Sequence, residues 1–397
     1  MAGFRSIDVL DARGKRVLVR ADLNVPMKDG AVTDTARIDQ AATTIRELAA
    51  MGARVIVLSH FGRPDGRRVD GMSLRQVLPT LATAVGKPVA FADDCIGAVA
   101  EGAVAALKDG DVLCLENTRF HAGEEKNDPT LVTALAKLGD AYVNDAFSAA
   151  HRAHATTEGL AHKLPAYAGR GMQAELEALA RVLDRPQHPV VAIVGGAKIS
   201  SKLAVLEHLI TKVDALVIGG AMANTFLKAQ GLPVGKSLCE AGLLDKAREI
   251  MAKAKAGGCA IVLPSDGVVA KEFKAMAAAK TLPIHMTPDD GMILDIGSDT
   301  LADIAARLET AKTVVWNGPL GAFETMPFDM GTSSVARHVA MLTRVGAMVS
   351  VAGGGDTLAA LSQAGCEDEF TYCSKAGGAF LEWLEGKVLP GVKALEA

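Results

Sequence analysis

Short apolar runs recur along the whole chain, separated by longer stretches rich in Ala, Leu, Lys and Glu with helical spacing. The runs predict strands at Arg16–Arg20, Arg54–Leu58, Val112–Leu115, Ala141–Val143, Val190–Val194, Ala215–Ile218, Ala260–Leu263, Thr313–Trp316 and Met348–Val351. Most are continuously apolar and β-branched, which is the pattern of strands buried on both faces of a parallel sheet. Strand runs alternating with helical stretches mean βα units. The expected fold class is therefore α/β, with two doubly wound, mostly parallel-sheet (Rossmann-like) domains joined by a helical hinge. A chain of 397 residues is long for one core and suits two domains. The expected boundaries are 1–168 for the first domain, 169–189 for the interdomain helix, and 190–384 for the second, with a tail of about 385–397.

In open α/β sheets, ligands bind beyond the carboxyl ends of the strands. In the first half those positions read ADLN (Ala21–Asn24), SHFGRP (Ser59–Pro64), ENTRF (Glu116–Phe120) and NDAFSAAHRAH (Asn144–His154). In the second half they read GGAKISSK (Gly195–Lys202), GGAMANTF (Gly219–Phe226), NGPLGAFE (Asn317–Glu324) and GGGDT (Gly353–Thr357). The first set is rich in Arg and His, the second in Gly, so two different ligands are expected. The planar forks of Arg63, Arg119 and Arg152, with His60 and Arg37, suit a small, multiply charged anion. Glycine-lined strand ends, lysines and the acidic Asp356 suit a nucleotide whose phosphates carry Mg²⁺. The chemistry natural to such a pair of ligands is phosphoryl transfer.

The stretch VVAIVGGAKISSK sharpens the second half. Glycines at the end of a buried strand let another molecule come close. A helix starting near Ala197 would set Lys198 and Lys202 on one face at its positive end, an arrangement suited to polyphosphate. No GxxxxGK[ST] sequence is present, so this is not the Walker loop. A solvated helix face is the ordinary fate of such a lysine pair, and the position after a strand and two glycines favours phosphate contact instead.

A net charge of −4 argues against nucleic acid or an anionic membrane as the main partner. No apolar run approaches ~20 residues, so no membrane span is expected, and no secretory h-region is visible at the start; a cytoplasmic location is the expectation. The six cysteines are scattered, with no CxxC pair and no clustered His partners, and read as reduced thiols. His151 and His154 have a spacing compatible with a metal but no third ligand nearby, which favours a structural or orienting role. Trp316 and Phe323 read as core or as wall of a nucleotide pocket. The only GxGxxA pattern, Gly169, Gly171 and Ala174, follows a Pro-interrupted segment that does not read as a strand, which argues against a dinucleotide-dependent dehydrogenase.

The order and spacing of these motifs resemble the phosphoglycerate kinase family along essentially the whole chain. The resemblance rests on RADLNVP (Arg20–Pro26), SHFGRP, LENTRF, NDAFSAAHRAHAT, GGAKISSK, IGGAMANTF, DIG (Asp295–Gly297), WNGPLGAFE, FDMGT (Phe328–Thr332), GGGDT and AGGAFLEWLEGKVLPG. It implies reversible, Mg²⁺-dependent transfer between ATP and the carboxylate of 3-phosphoglycerate, giving ADP and 1,3-bisphosphoglycerate, on closure of two domains in a monomer. For the acceptor it implies Asp22, Leu23, Asn24, Arg37, His60, Phe61, Gly62, Arg63, Arg119 and Arg152. For the nucleotide it implies Gly196, Lys198, Lys202, Gly220, Asn317, Pro319, Glu324, Gly353, Gly354, Gly355, Asp356 and Thr357, with Asp356 on the metal. Arg37, Lys198, Gly354 and Gly377 would act on the moving phosphoryl group, and Glu177–Leu183 would belong to the hinge. The family's STGGGA reads SKAGGA here, with Lys375 and Ala376 at the altered positions. The alternative is a catalytically silent, nucleotide-binding scaffold on the same fold; Lys198, Lys202, Arg37 and Asp356 are all present, which weighs against it.

Overall fold

The computed structural model describes residues 3–396. Two units emerge, one comprising the chain up to Leu176 together with the tail from Val388, the other Glu177–Lys387. Residue 397 of the expected tail and residues 1 and 2 of the expected first domain lie outside the described residues.

In the first unit the strands are β1 (Arg16–Arg20), β2 (Met27–Lys28), β3 (Ala31–Val32), β4 (Arg54–Leu58), β5 (Val89–Ala92), β6 (Val112–Leu115), β7 (Ala141–Asn144) and β8 (Ala166–Ala168). Six of them form one parallel sheet in the order β5-β6-β4-β1-β7-β8, while β2 and β3 pair as a short hairpin. The central β1 registers Val17 against Val55 on one side and Ala141 on the other, so its apolar run is enclosed by neighbours on both edges. Helix Ala36–Ala50 covers one face: Ile38, Ala41, Ala42, Ile45, Leu48 and Ala49 recur at helical spacing and are buried against the sheet. The last described turn, Pro390–Lys393, docks in this unit, with Gly391 N–H donating to the Ala150 carbonyl at 2.8 Å.

In the second unit β9 (Val190–Val194), β10 (Ala215–Ile218), β11 (Ala260–Val262), β15 (Thr313–Asn317), β16 (Val349–Gly353) and β17 (Tyr372–Ser374) form a parallel sheet in the order β11-β10-β9-β15-β16-β17. A separate antiparallel sheet, β13-β12-β14, is built from β12 (Asp266–Ala270), β13 (Ala279–Pro283) and β14 (Met292–Ile296). This small sheet has no counterpart in the predicted elements. The chain passes from one unit to the other within helix Arg170–Leu179, which ends in a wider π turn, Ala180–Asp184.

Two expectations are corrected. The segment before Gly169 is a strand after all: β8 pairs with β7 despite Pro165, because the proline only accepts there, its carbonyl taking the Tyr142 N–H at 2.9 Å, and the pairing from Ala166 onward asks no N–H of it. The dinucleotide reading still fails, for a physical reason visible only here. Asp145 Oδ1 accepts the Gly171 and Met172 N–H groups at 2.8 and 3.1 Å, so a carboxylate already occupies the helix start where a pyrophosphate would sit. The second correction concerns Ala197. No helix begins there; a single 3₁₀ turn spans Ile199–Ser201 and the α-helix starts only at Leu203, after Lys202.

Burial pushes the Asp145 carboxyl up to about 7. A native-state pKa above the ordinary carboxylate value means that its share of stability is complete below about pH 4 and lost as pH rises to about 7, at up to ~1.4 kcal/mol per pH unit for one proton. Asp145→Asn keeps the accepting oxygen and has no charge to bury. The variant is expected to gain thermal stability over the parent at pH 7.5 and to lose that advantage near pH 4.5. Melting curves at the two values check this, and a pH-independent difference would contradict it.

Candidate functional site

The parallel arrangement brings the carboxyl ends of β1, β4, β6 and β7 to one edge of the first sheet, where the candidate arginines and His60 lie. Arg20, the last residue of β1, is fully enclosed: its Nε donates to Thr156 Oγ1 at 2.9 Å, one Nη to the Ala21 carbonyl, and the other lies 2.9 Å from His60 Nδ1. A guanidinium can only donate, so Nδ1 of His60 accepts and its proton sits on Nε2. Burial, then the charges of Arg20, Arg119, Arg152 and Arg37, hold His60 well below its usual range and keep it neutral. His154, half-buried beside Arg119, Arg152 and Arg20, is pushed down to about 4 by that partial burial and by those charges.

The neighbours are positioned by backbone and side-chain bonds. Arg37, in the first turn of its helix, donates to the Asn24 carbonyl at 2.7 Å and pairs with Asp22 at 3.1 Å. Asp22 also accepts from the Asn24 N–H (3.0 Å) and Ser148 Oγ (2.5 Å), and Asn24 Oδ1 accepts from the Gly62 N–H at 2.9 Å. Leu23 N–H is held by Ser59 Oγ at 2.9 Å, and Phe61 is clamped through its N–H and carbonyl by Asn117 at 3.2 and 2.7 Å. Arg119 donates to the Gly62 carbonyl at 2.9 Å and faces Glu125 at 3.2 Å; burial lowers its pKa. Arg152 Nε donates to His151 Nε2 at 3.3 Å. Arg63 is exposed and makes no ion pair with a described residue. Glu116 anchors the Ser73–Leu74 turn, accepting from Ser73 Oγ at 2.6 Å and the Leu74 N–H at 2.8 Å, with Arg68 3.5 Å away.

In the second unit, glycines create the space. A Cβ on Gly195 would lie 1.8 Å from the Pro319 carbonyl oxygen, so this strand end cannot carry a side chain. Gly196 (φ +136°) and Gly220 (φ +66°) pack so closely that a Cβ on the latter would meet the Gly196 backbone at 2.6 Å. Lys202 donates to the Asn317 carbonyl at 3.1 Å and to its Oδ1; burial lowers its pKa to about 8, with Asp356 acting the other way. Asn317 Nδ2 donates to the Gly353 carbonyl at 2.7 Å, and Thr357 Oγ1 ties Gly318 N–H (2.7 Å) to the Gly353 carbonyl (2.9 Å). Helix Gly355–Gln363 begins here, with Gly354 at φ +99° as its cap. Gly377 (φ +52°) starts helix Gly378–Leu384 in the same way.

A cavity of about 490 Å³ is lined by Gly196, Gly220, Leu238, Phe273, Pro319 and Glu324 among others, and Asp356 also reaches it. Its size suits a small-molecule ligand. Phe323 is part of its wall, whereas Trp316 is wholly buried with its indole N–H on the Gly318 carbonyl at 2.7 Å. Lys198 is exposed and does not share a helix face with Lys202. Lys375 is exposed too; Ala376 is buried and is not among the positive-φ positions, so its backbone accepts a Cβ.

Several residues of these sites escaped the sequence reading. Arg20 lies inside a strand rather than after it. Glu124 is fully buried, accepts from Thr156 Oγ1 and the Thr156 N–H, and is raised in pKa by burial. Cys95 does have a His nearby: Asp94, Cys95 and His121 place their ligand-type atoms within 4.8 Å, with His121 Nε2 and Asp94 Oδ1 already hydrogen bonded at 2.7 Å. Nothing in the local spacing could have joined positions 94 and 121.

A pair of doubly wound units, one gathering arginines and a neutral histidine at its sheet edge and the other a lysine, glycines and an acidic group, defines a two-domain α/β kinase. The sequence profile described as Phosphoglycerate kinase matches residues 7–387. Phosphoglycerate kinases of Methylobacterium radiotolerans and Agrobacterium fabrum are each 62% identical, the first covering 100% of both chains and the second 100% of this chain and 99% of its own. The solved phosphoglycerate kinase of Coxiella burnetii aligns with a TM-score of 0.93 at 43% identity over 99% of each chain, and that of Pyrococcus horikoshii with 0.79 at 30% over 98% of each. The chain belongs to the phosphoglycerate kinase family, and its activity is that of the family, phosphoryl transfer to a carboxylate. Among the described residues no helix is long and apolar enough to cross a membrane.

Proposed function

We propose that the arginine–histidine edge of the first unit holds 3-phosphoglycerate and that the cavity of the second holds Mg-ATP or Mg-ADP. The observation that carries the acceptor side is Arg20 held 2.9 Å from His60 Nδ1, with the charges of Arg119, Arg152 and Arg37 also felt by that ring. Four guanidiniums acting on one buried imidazole outnumber the carboxylates beside them, Asp22, Glu124 and Glu125, and leave a net positive potential, which suits an anion with several oxygens. Neutral His60, with its Nε2 proton, supplies a donor without adding charge. Asp22, Leu23, Asn24, Phe61 and Gly62 shape that edge through the bonds described above, and exposed Arg63 is free to reach the substrate.

The acceptor carboxylate is ionised at neutral pH, so no general base is needed. What the reaction demands is charge neutralisation along the path of the phosphoryl group, from Arg37, Lys198, Lys202 and the N–H groups at the glycine-capped helix starts Gly354–Gly355 and Gly377–Gly378. Asp356 is exposed in the first turn of its helix, and its carboxylate is a hard oxygen donor of the kind Mg²⁺ takes together with phosphates and water. The metal, when bound with the nucleotide, screens the phosphate charge. Transfer requires acceptor and donor to come into line, so a closing motion that excludes water belongs between binding and chemistry. We place the protein in the cytoplasm as a monomer.

The test is an assay with ATP, Mg²⁺ and 3-phosphoglycerate, coupled to glyceraldehyde-3-phosphate dehydrogenase and followed by NADH oxidation. Oxidation should require all three components and fall at least a hundredfold in Arg37→Ala. Nucleotide binding by a folded protein without any oxidation would sink the reading and leave a silent scaffold.

A further inference from the structure

The polar groups on the wall of the second unit's cavity differ in how far they are already committed. Ser237 Oγ accepts the Ile293 N–H at 2.8 Å, and Asp295 accepts the Ile296 and Gly331 N–H groups at 2.8 and 2.7 Å. Lys236, Glu324 and Asp356 are exposed. Asn224 stands apart. It lies in helix Gly220–Ala229, is 2% exposed, and lines the cavity together with apolar residues that include Ala221, Leu238, Phe273, Met292 and Leu294. Its Nδ2 donates to the Leu238 carbonyl at 3.2 Å, which sets the orientation of the amide, because the reverse would face two oxygens at each other. No described residue donates to its Oδ1, and that oxygen is not among the sealed, unpartnered polar atoms of the interior. It is an oriented acceptor open to the cavity.

We propose that Asn224 Oδ1 determines base preference by accepting a hydrogen bond from the exocyclic amine of adenine. This rests on the cavity being the nucleotide site. The apolar walls suit a flat ring, and Leu238 and Phe273, more than half exposed at 53% and 59%, are the surfaces such a ring would cover. An apolar slot alone discriminates weakly between purines; a fixed acceptor discriminates by leaving its lone pair unpaired, or opposed, when the ligand offers no donor there. In adenosine nucleotides the only donor on the base is the 6-amine. A 6-oxo purine presents an acceptor at the same place.

The experiment is calorimetric titration of the whole protein with ADP, purine-riboside 5′-diphosphate, which lacks any base donor, and inosine 5′-diphosphate. The parent protein should bind ADP about five- to tenfold more tightly than either analogue, as expected for one hydrogen bond. In Asn224→Leu, and in Asn224→Ala should the first fail to fold, ADP and purine-riboside diphosphate should bind within twofold of each other. Equal binding of all three by the parent, or an ADP preference that survives in the variants, would overturn the assignment. No binding of any of the three would instead overturn the nucleotide reading of the cavity, so the two failures are distinguishable.

Discussion

Lys202→Met is expected to lower turnover by ~10²–10³-fold while leaving the fold intact, the range for removing one preorganised charge-stabilising donor. The ammonium is held by the Asn317 carbonyl at 3.1 Å and by Asn317 Oδ1, and a second bond from Asn317 fixes the Gly353 carbonyl at the start of the GGGDT turn. Met retains the apolar stem that fills this partly buried channel and removes only the charge. Arg is not an equivalent replacement, since its planar fork needs room that two backbone segments and Asn317 occupy. A second signature follows from the lysine's depressed pKa of about 8. Below that value the lysine is charged and ready for phosphate. As pH rises above it the free protein loses the proton and must regain it to bind, so the ADP dissociation constant should rise toward tenfold per pH unit above about 8 and stay flat below. Lys202→Met should lack that rise. Calorimetry at pH 7, 8 and 9 on both proteins decides the matter, and a rise that persists in the variant would assign it to another group.

Arg20→Met is expected to destabilise the first unit by ~3–5 kcal/mol, the cost of removing one partner from a buried charged network. Arg20 is 1% exposed and ties together Thr156, the Ala21 carbonyl and His60. Its charge also opposes the burial of Glu124, which is fully enclosed. Met fills much of the volume but donates to none of these groups, leaving Glu124 and His60 buried without their common partner. For a unit of this size the melting transition should drop by on the order of 10 °C. The KM for phosphoglycerate should rise, because His60 loses the contact that sets its tautomer, while ADP affinity at 25 °C should be nearly unchanged, since the residues proposed for the nucleotide all belong to the other unit. An unshifted melting curve, or equal losses for both ligands, would contradict this account of Arg20.

The contrast between Lys202 and Arg20 shows what was legible in the chain. Lys202 follows an apolar run and two glycines, a local arrangement with a direct meaning, and it could be picked out without coordinates. Arg20 ends the run Arg16–Arg20 and reads as the edge of a strand; only the pairing of β1 with both β4 and β7 shows that it is enclosed and aimed at His60 and Thr156. Asn224 is similar, a polar residue in a helical stretch whose importance comes from facing the cavity beside Leu238. The strand Ala166–Ala168 escapes the pattern because three residues after a proline carry too little of it, and the β12–β14 sheet because its strands are interrupted by polar or proline positions and pair with each other rather than with the main sheet. The irregular turn at Ile199–Ser201 defeated a simple helical wheel, and with it the idea that Lys198 and Lys202 share a face.

By itself the sequence determined the two-domain α/β plan and the strand ends at which its charged and glycine-rich segments gather. Continuous apolar β-branched runs alternating with helical stretches are best buried as strands of parallel sheets, and parallel sheets put the residues that follow them at one edge. It also determined the division of labour between an arginine-rich edge and a glycine-rich one, because those residue types suit different ligands whatever their neighbours. The tertiary structure alone decided protonation, tautomer and which polar atoms remain open. Those depend on burial and on partners more than a hundred positions away, such as Arg20 with Thr156 or Lys202 with Asn317, where the energy of a charge or hydrogen bond is set by distance in space and by the exclusion of water.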